Sequence, residues 1–157
     1  MPQVRLPDGK VLEVPSGSSV RDVASKIGPG LAKAAVAARL DGDPVDLSVK
    51  LPDEGQPTLE ILTAKSDVAL DILRHSTAHI MAQAVGRLHQ NVKYGIGPSI
   101  ENGFYYDFDL PVRLTEEDLP RIEDQMRRIV AEKQPFSRRV LSVDEARREM
   151  AAGGQDY

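Results

Sequence analysis

Cysteine and tryptophan are absent from this chain of 157 residues, and aromatic residues make up only 4% of it. The first absence excludes disulfides, thiolate zinc ligands and a thiol nucleophile within these residues, and it fits a reducing compartment. The scarcity of aromatics leaves Val, Leu, Ile and Ala to build thin hydrophobic cores. A strong excess of one charge is also missing. The formal net charge is −4, with 7 basic and 9 acidic residues before Lys65 and 13 and 15 from it onward, so net charge gives no argument for nucleic-acid binding in either half. Long apolar runs are missing too. Leu31 to Leu40 is interrupted by Lys33 and Arg39 and is far shorter than the ~20 residues of a membrane helix. The opening MPQVRLPDG has no basic-then-apolar leader pattern. A soluble, cytoplasmic protein with no membrane partner is expected.

What is present, 41% hydrophobic and 28% charged residues, fits two small globular modules of the α+β class. Gln3 to Val14 reads as a hairpin around Pro7-Asp8-Gly9, because Pro presets a turn dihedral and Gly accepts the positive one that follows. Ser18 or Ser19 is placed to cap a short helix through Val20, Val23, Ala24 and Ile27, which Gly28-Pro29-Gly30 stops. Val36 to Leu40, a turn at Asp41-Gly42-Asp43-Pro44, Val45-Asp46-Leu47 and the run Leu59, Ile61, Leu62 complete a small sheet crossed by one helix. This module ends near Thr63.

From Ser66 to about His89, Val68, Leu73, Ile80, Ala84 and Leu88 recur at helical spacing. Val92 to Leu110 alternates like a two-stranded ribbon, broken at Gly97-Pro98 and turned at Glu101-Asn102-Gly103, where Asn-Gly suits a tight hairpin. Thr115 and Asp118 form a capping box before a helix carrying Leu119, Ile122, Met126, Ile129 and Val130, ended by Pro135. A strand over Phe136 to Leu141 and a helix capped by Ser142 and Glu145 follow, and Gly153 to Tyr157 forms a tail without a closing element.

Three features bear on chemistry. In His75-Ser76-Thr77-Ala78-His79 the histidines lie one helical turn apart, so both rings leave the same face and can share a metal, a water or a substrate group. Ala82 and Gly86 continue that face and leave room for a ligand or another backbone. A bare pair at this spacing also fits two hydrogen-bonded histidines on an ordinary amphipathic helix. A metalloprotease needs Glu beside the first histidine, and Ser76 stands there. A metal-dependent hydrolase needs a further ligand, and His89 lies too far along the helix on another face, so no metal site is assigned. Second, the ribbon concentrates Tyr94, Phe104, Tyr105 and Tyr106. Alternation sends Tyr105 and Tyr106 to opposite faces, so one of them can line a given pocket, while Phe104 reads as core. Third, Arg127, Arg128, Lys133, Arg138, Arg139, Arg147 and Arg148 are interspersed with acids, as on a solvated mixed-charge face.

Two stretches carry a resemblance. VRLPDGKVLEVPSGSSVRDVAS followed by GPGLAKAAVAARLDGDPVDL is similar to the TGS domain that opens bacterial threonyl-tRNA synthetases, a ubiquitin-like β-grasp module. LRHSTAHIMAQAV followed by GIGPSIENGFYYDFDL looks like the beginning of their editing domain. TGS-like modules also occur in GTPases and stringent-response enzymes, whereas HSTAH followed by NGFYYD is specific. The resemblance implies a TGS domain over residues 1–63 and the N-terminal part of an editing domain over residues 66–157.

It further implies an enzyme that attaches threonine to tRNA(Thr) with ATP and removes mischarged serine. One missing methyl is worth only about 1–3 kcal/mol in a binding pocket, so rejecting serine calls for a second, hydrolytic site. His75 and His79 would position the attacking water or the terminal ribose there, with Tyr106 shaping the pocket. The partners implied are tRNA(Thr), threonine, serine and ATP, with a homodimeric parent. The family's Cys-and-His motif and Lys, its zinc-binding aminoacylation core with ATP and Mg, and its anticodon-binding domain have no counterpart in these residues. The segment itself therefore needs no cofactor and is expected to be inactive alone. The rival reading is a non-catalytic RNA- or protein-binding module in which the histidine helix is scaffold.

Overall fold

Pro7 and Gly9 set the first turn of the chain. In the computed structural model, which describes residues 1–155, β1 (Gln3–Arg5) and β2 (Val11–Glu13) pair antiparallel with Val4 opposite Leu12. Gly9, at φ 83°, donates its N–H to the Leu6 carbonyl at 2.9 Å, which puts Pro7 at the second position of the turn, where its fixed φ fits. The chain divides into two units, Met1–Leu73 and Arg74 onward.

In the first unit, α1 (Val20–Ile27) starts from a reciprocal cap. The Asp22 N–H donates to Ser19 Oγ at 3.3 Å and the Ser19 N–H donates to Asp22 Oδ2 at 2.7 Å, satisfying donors that a helix start leaves unpaired. The caps hold the Asp22 carboxyl below the usual carboxylate range. Gly28 ends this helix, but the chain does not leave helical geometry for long. A second helix, α2 (Pro29–Ala34), begins at once with Pro29 in its first turn, so the expectation of one helix is corrected to two. Proline lacks the N–H that the first turn leaves unsatisfied anyway, and it starts a helix as readily as it stops one.

Next, β3 (Ala35–Leu40) lies between β4 (Asp43–Val45) and β5 (Leu59–Thr63), all antiparallel. The β3–β4 loop is Asp41-Gly42, with φ 51° and 93° and Leu40 paired to Asp43, the geometry of a two-residue type I′ hairpin. Pro44 sits in β4, the edge strand, where a missing donor costs little. A parallel bridge from Arg5 to Thr58 joins the hairpin to β5. Val4, Val14, Val20, Val23, Ala38, Leu47, Leu51 and Leu59 close the core.

The 22-residue α3 (Asp67–Leu88) has the length expected, and Ser66 Oγ accepts the Ala69 N–H at its start. Its first turns pack Val68, Ala69 and Ile72 with Val36, Ala37 and Leu62 within the first unit. Burial does not follow the apolar recurrence throughout: Leu73 is exposed, while Ala78, Ala82, Ala84 and Val85 are buried on several sides of the helix.

In the second unit the ribbon consists of nested pairs, β6 (Lys93–Tyr94) with β9 (Phe108–Asp109) and β7 (Ser99–Ile100) with β8 (Gly103–Phe104). Between them the Gly95 N–H donates to the Asp107 carbonyl and the Asp107 N–H to the Ile96 carbonyl, each at 2.9 Å. Pairing lapses at Gly97-Pro98, since Pro98 has no donor. The turn residues are Glu101 and Asn102, with Ile100 paired to Gly103. None of the three residues Glu101 to Gly103 has a positive φ, so the expected Asn-Gly turn is corrected: Gly103 is the last residue of the turn, a position glycine also favours.

Thr115 donates both its N–H and its hydroxyl to Asp118 Oδ2, and a 3₁₀ turn at Glu116–Asp118 leads into α4 (Leu119–Ala131). Ile122 and Ile129 are buried against Ala84, Val85 and Val92. Leu119 and Val130, which share the same helical spacing, are exposed. The helix ends before Pro135, at a left-handed Lys133 with φ 49°. The expected strand Phe136–Leu141 does not form. β propensity needs a neighbouring ladder to act on, no strand among the described residues pairs with this segment, and Phe136 is 97% exposed.

Ser142 and Glu145 cap α5 (Val143–Ala152) reciprocally. Gly154, at φ 71°, donates to the Ala151 carbonyl and Gln155 to that of Met150, a Schellman ending. The tail does close on the unit: Gln155 Oε1 accepts the Tyr94 N–H and Gln155 Nε2 donates to the Val92 carbonyl, both at 3.1 Å. A side-chain amide mimics a peptide unit and extends the edge of β6. Asp156 and Tyr157 lie outside the described residues.

Candidate functional site: the histidine pair and its aromatic wall

The four-residue spacing does what helical geometry requires. His75 Nε2 and His79 Nε2 stand 3.0 Å apart, with ring centroids at 4.6 Å and planes at 80°. A hydrogen bond between two ring nitrogens needs one N–H and one lone pair, so one imidazole donates and the other accepts. Both residues are exposed, which leaves the pair open to water and to a ligand.

The ribbon supplies the wall of the site through its period of two. Tyr106, Phe108 and Leu110 are half-buried, and Tyr105, Asp107 and Asp109 are exposed. Tyr106 therefore turns inward, and its ring meets His79 edge-on, with centroids at 5.9 Å and planes at 76°. Phe108 stacks on Tyr106 at 4.9 Å and 16°, and Tyr94 meets both rings edge-on at 6.1–6.3 Å. Such edge-to-face and offset contacts suit the ring quadrupoles.

Of the residues singled out in the sequence, His75, His79 and Tyr106 come together. Tyr105 is exposed, and Phe104, read as core, is half-buried and not part of the cluster of Val85, Ile122 and Ile129. Tyr94 and Phe108 were not singled out as site residues. The signal that could have found them is the same alternation, read on both strands of the ribbon.

The small residues beside the pair leave room for a side chain. A Cβ on Gly86 would overlap the Tyr94 hydroxyl and lie 3.3 Å from Tyr94 Cζ, so the space at Gly86 holds the tyrosine instead of a ligand or another backbone. Burial pushes the Tyr94 phenol above its usual range, and the neighbouring Tyr106 adds to this.

A polar network ties α3 to the end of α4. Arg87 donates from both terminal nitrogens to the Glu132 carboxylate, Gln134 donates to Glu132 Oε2, and Gln83 donates to Gln134 Oε1. The Arg87 guanidinium, with help from Gln134, pulls the Glu132 carboxyl down to about 2. Bidentate geometry of this kind fixes orientation as well as charge.

Three members of the basic run pair with nearby acids, Arg127 with Glu123, Arg139 with Glu149 and Arg147 with Asp144, as on a mixed-charge face. Among the described residues no group of three or more His, Asp or Glu side chains is placed to hold a metal ion. Nor is any helix among them long and apolar enough to cross a membrane.

Residues 2–63, which contain the hairpin, both short helices and the three-stranded sheet, match the TGS domain family. The chain carries a TGS domain. Similarity continues past that TGS domain through the histidine helix and the ribbon. The chain is 51% identical over 154 residues to the threonine-tRNA ligase of Pelobacter propionicus, covering 98% of the chain and 24% of that protein. It is 44% identical over 156 residues to the enzyme of the same name from Bacillus velezensis, covering 99% of the chain and 24% of the relative. With that of Rubrobacter xylanophilus it shares 53% over 148 residues, covering 94% and 23%. The chain is thus homologous to the N-terminal region of threonine-tRNA ligases, and it spans about a quarter of the length of these curated relatives. Its TGS domain is the α+β first part of that region.

Proposed function

We propose that this chain is the N-terminal region of an enzyme that ligates threonine to tRNA(Thr) with ATP, and that the residues after its TGS domain are part of a site that hydrolyses seryl-tRNA(Thr). The observation that carries this reading is the hydrogen-bonded His75–His79 pair facing the Tyr106 ring on an open surface. An imidazole with a free lone pair takes a proton from water as the water oxygen bonds the seryl carbonyl carbon, and a neighbouring N–H returns a proton to the ribose oxygen as the ester bond breaks. His75 and His79 are spaced for that division of labour, and Tyr106 supplies a flat wall for the terminal nucleotide or the seryl group.

The domain division proposed is a TGS domain over residues 1–63 and an incomplete editing domain from residue 66. By the family resemblance, further editing residues and the ATP-, Mg- and Zn-dependent ligation core belong to chain beyond these residues, in a homodimeric, cytoplasmic parent. The 157-residue chain alone then neither charges tRNA nor edits at a normal rate.

The experiment is single-turnover deacylation of seryl-tRNA(Thr) by this chain and by a form continued to the length of its relatives, each with and without His75→Ala and His79→Ala. The expected outcome is activity in the long form only, falling about 100-fold or more with either substitution, the range seen when a positioned acid–base group is removed. Normal deacylation by the short chain would refute the division of the site, and indifference of the long form to both histidines would refute their role.

A further inference from the structure

Gly97 is one of the few glycines in the chain whose missing side chain is explained by a neighbour and not by backbone conformation. Its φ lies outside the left-handed region, unlike those of Gly9, Gly17, Gly42, Gly55 and Gly154, so any L-residue could adopt its backbone. Space is the constraint. A Cβ on Gly97 would overlap Cδ2 and Cε2 of Tyr106 and lie 2.8 Å from its Cγ. Gly103, Gly28 and Gly30 have nothing within 4 Å of the same position.

The overlap involves three atoms of one rigid ring, so rotating a flexible tip does not relieve it. The ring has little room to retreat, since Phe108 stacks on it at 4.9 Å and Tyr94 meets it edge-on at 6.3 Å. The ring's remaining neighbour in this set is His79, at 5.9 Å.

We propose that Gly97 is a positioning residue for the histidine site: the absence of its side chain lets the Tyr106 ring, stacked on Phe108, stand against His79. This rests on the proofreading reading for what the site does, but the placement of the ring can be tested without it. Gly97 touches no reacting atom; it acts through Tyr106.

The structural arm uses the 157-residue chain. In the unsubstituted protein, nuclear Overhauser contacts between the His79 and Tyr106 rings are expected. In Gly97→Ala they are lost, while the Leu59 and Val4 methyl contacts in the TGS domain persist. If Gly97→Ala keeps the ring contact, the proposal is overturned. Should the ribbon of Gly97→Ala fail to fold, the double variant Gly97→Ala/Tyr106→Ala decides: with no ring to oppose the new Cβ it is expected to regain the ribbon's amide dispersion. A double variant that stays unfolded overturns the proposal.

The kinetic arm uses the form continued to the length of its relatives. Gly97→Ala is expected to lower the single-turnover rate of seryl-tRNA(Thr) deacylation about 10- to 100-fold, the range that misplacement by an ångström produces, with little change in the tRNA concentration at half-saturation. The double variant is expected to match Tyr106→Ala alone. An unchanged rate in Gly97→Ala, where His75→Ala abolishes deacylation, overturns this inference and leaves the proofreading reading standing. Deacylation insensitive to His75→Ala overturns both.

Discussion

In the TGS domain large aliphatic side chains are sealed from water by residues of the same small module, whereas the second unit places its aromatics beside an open pair of histidines and leaves apolar side chains in solvent. Among the described residues, five of the six largest fully buried side chains, Val4, Val14, Val20, Val23 and Leu59, belong to the first unit, and only Val85 to the second. Conversely Val130, Phe136, Val140 and Val143 of the second unit are all more than half exposed. The two units use their apolar residues differently: the first seals large aliphatic side chains, while the second closes a smaller core around Val85, Ile122 and Ile129 and leaves other apolar side chains exposed.

The sharpest break in that comparison is Leu59→Ala. Leu59 is 1% exposed in the first core, and truncating such a leucine costs about 2–5 kcal/mol. Chemical denaturation of the 157-residue chain should show this loss in the first unit, while Phe136→Ala in the second should change stability by less than about 0.5 kcal/mol, as expected at an exposed site. Equal effects would erase the distinction between the units.

The same capping box offers a second contrast. Ser19 is 9% exposed and leads a helix that buries Val20, Val23 and Ala24, so Ser19→Ala should cost about 0.5–2 kcal/mol of first-unit stability. Ser142 leads α5, which has no buried residue. Ser142→Ala should fray that helix, seen as faster amide exchange in it, without moving the denaturation midpoint.

Two glycine turns sharpen the comparison further. Gly42 holds φ 93°, so Gly42→Ala should destabilise the first unit by about 1 kcal/mol through backbone strain. Gly103 has neither a positive φ nor any atom within 4 Å of a Cβ. Gly103→Ala should leave the unfolding midpoint of the second unit unchanged.

The smallest expected effect is electrostatic. Arg87 and Gln134 depress the Glu132 carboxyl to about 2 from an ordinary 4.5. A depressed carboxyl contributes stability that is present above its unfolded value and is lost as pH falls toward the folded one. The contribution should therefore be whole at neutral pH and fade between about 4.5 and about 2. Because the pair is solvent-exposed, its worth is small and screened by salt. Glu132→Gln should flatten the acid limb of the second unit's pH–stability curve in that window and do nothing to the TGS domain.

Much of this was legible in the residues. Ser19 with Asp22, Thr115 with Asp118 and Ser142 with Glu145 each form the cap their spacing implies, and the histidines meet as helical geometry dictates. Gly28-Pro29-Gly30 ends α1 as its residues imply, but Pro29 also opens α2, in the one turn where its missing donor is harmless. The failures lie where packing decides. Phe136 to Leu141 was read as a strand on propensity that no neighbour supports. Leu119 and Val130 share the helical apolar spacing, yet α4 turns only Ile122 and Ile129 fully inward.

By itself the sequence determined what depends on contacts within about four residues: three capping boxes, the Pro7–Gly9 and Asp41-Gly42 turns, and the shared face of His75 and His79. The tertiary structure alone decided which aromatic stands against His79, why Gly86 and Gly97 lack side chains, and how Gln155 closes the edge of β6. Those outcomes depend on groups that packing brings together, α3 against the ribbon for His79 and Gly86, opposite strands for Gly97, and more than 50 positions of chain for Gln155, and spacing along a sequence carries no information about distances set by packing.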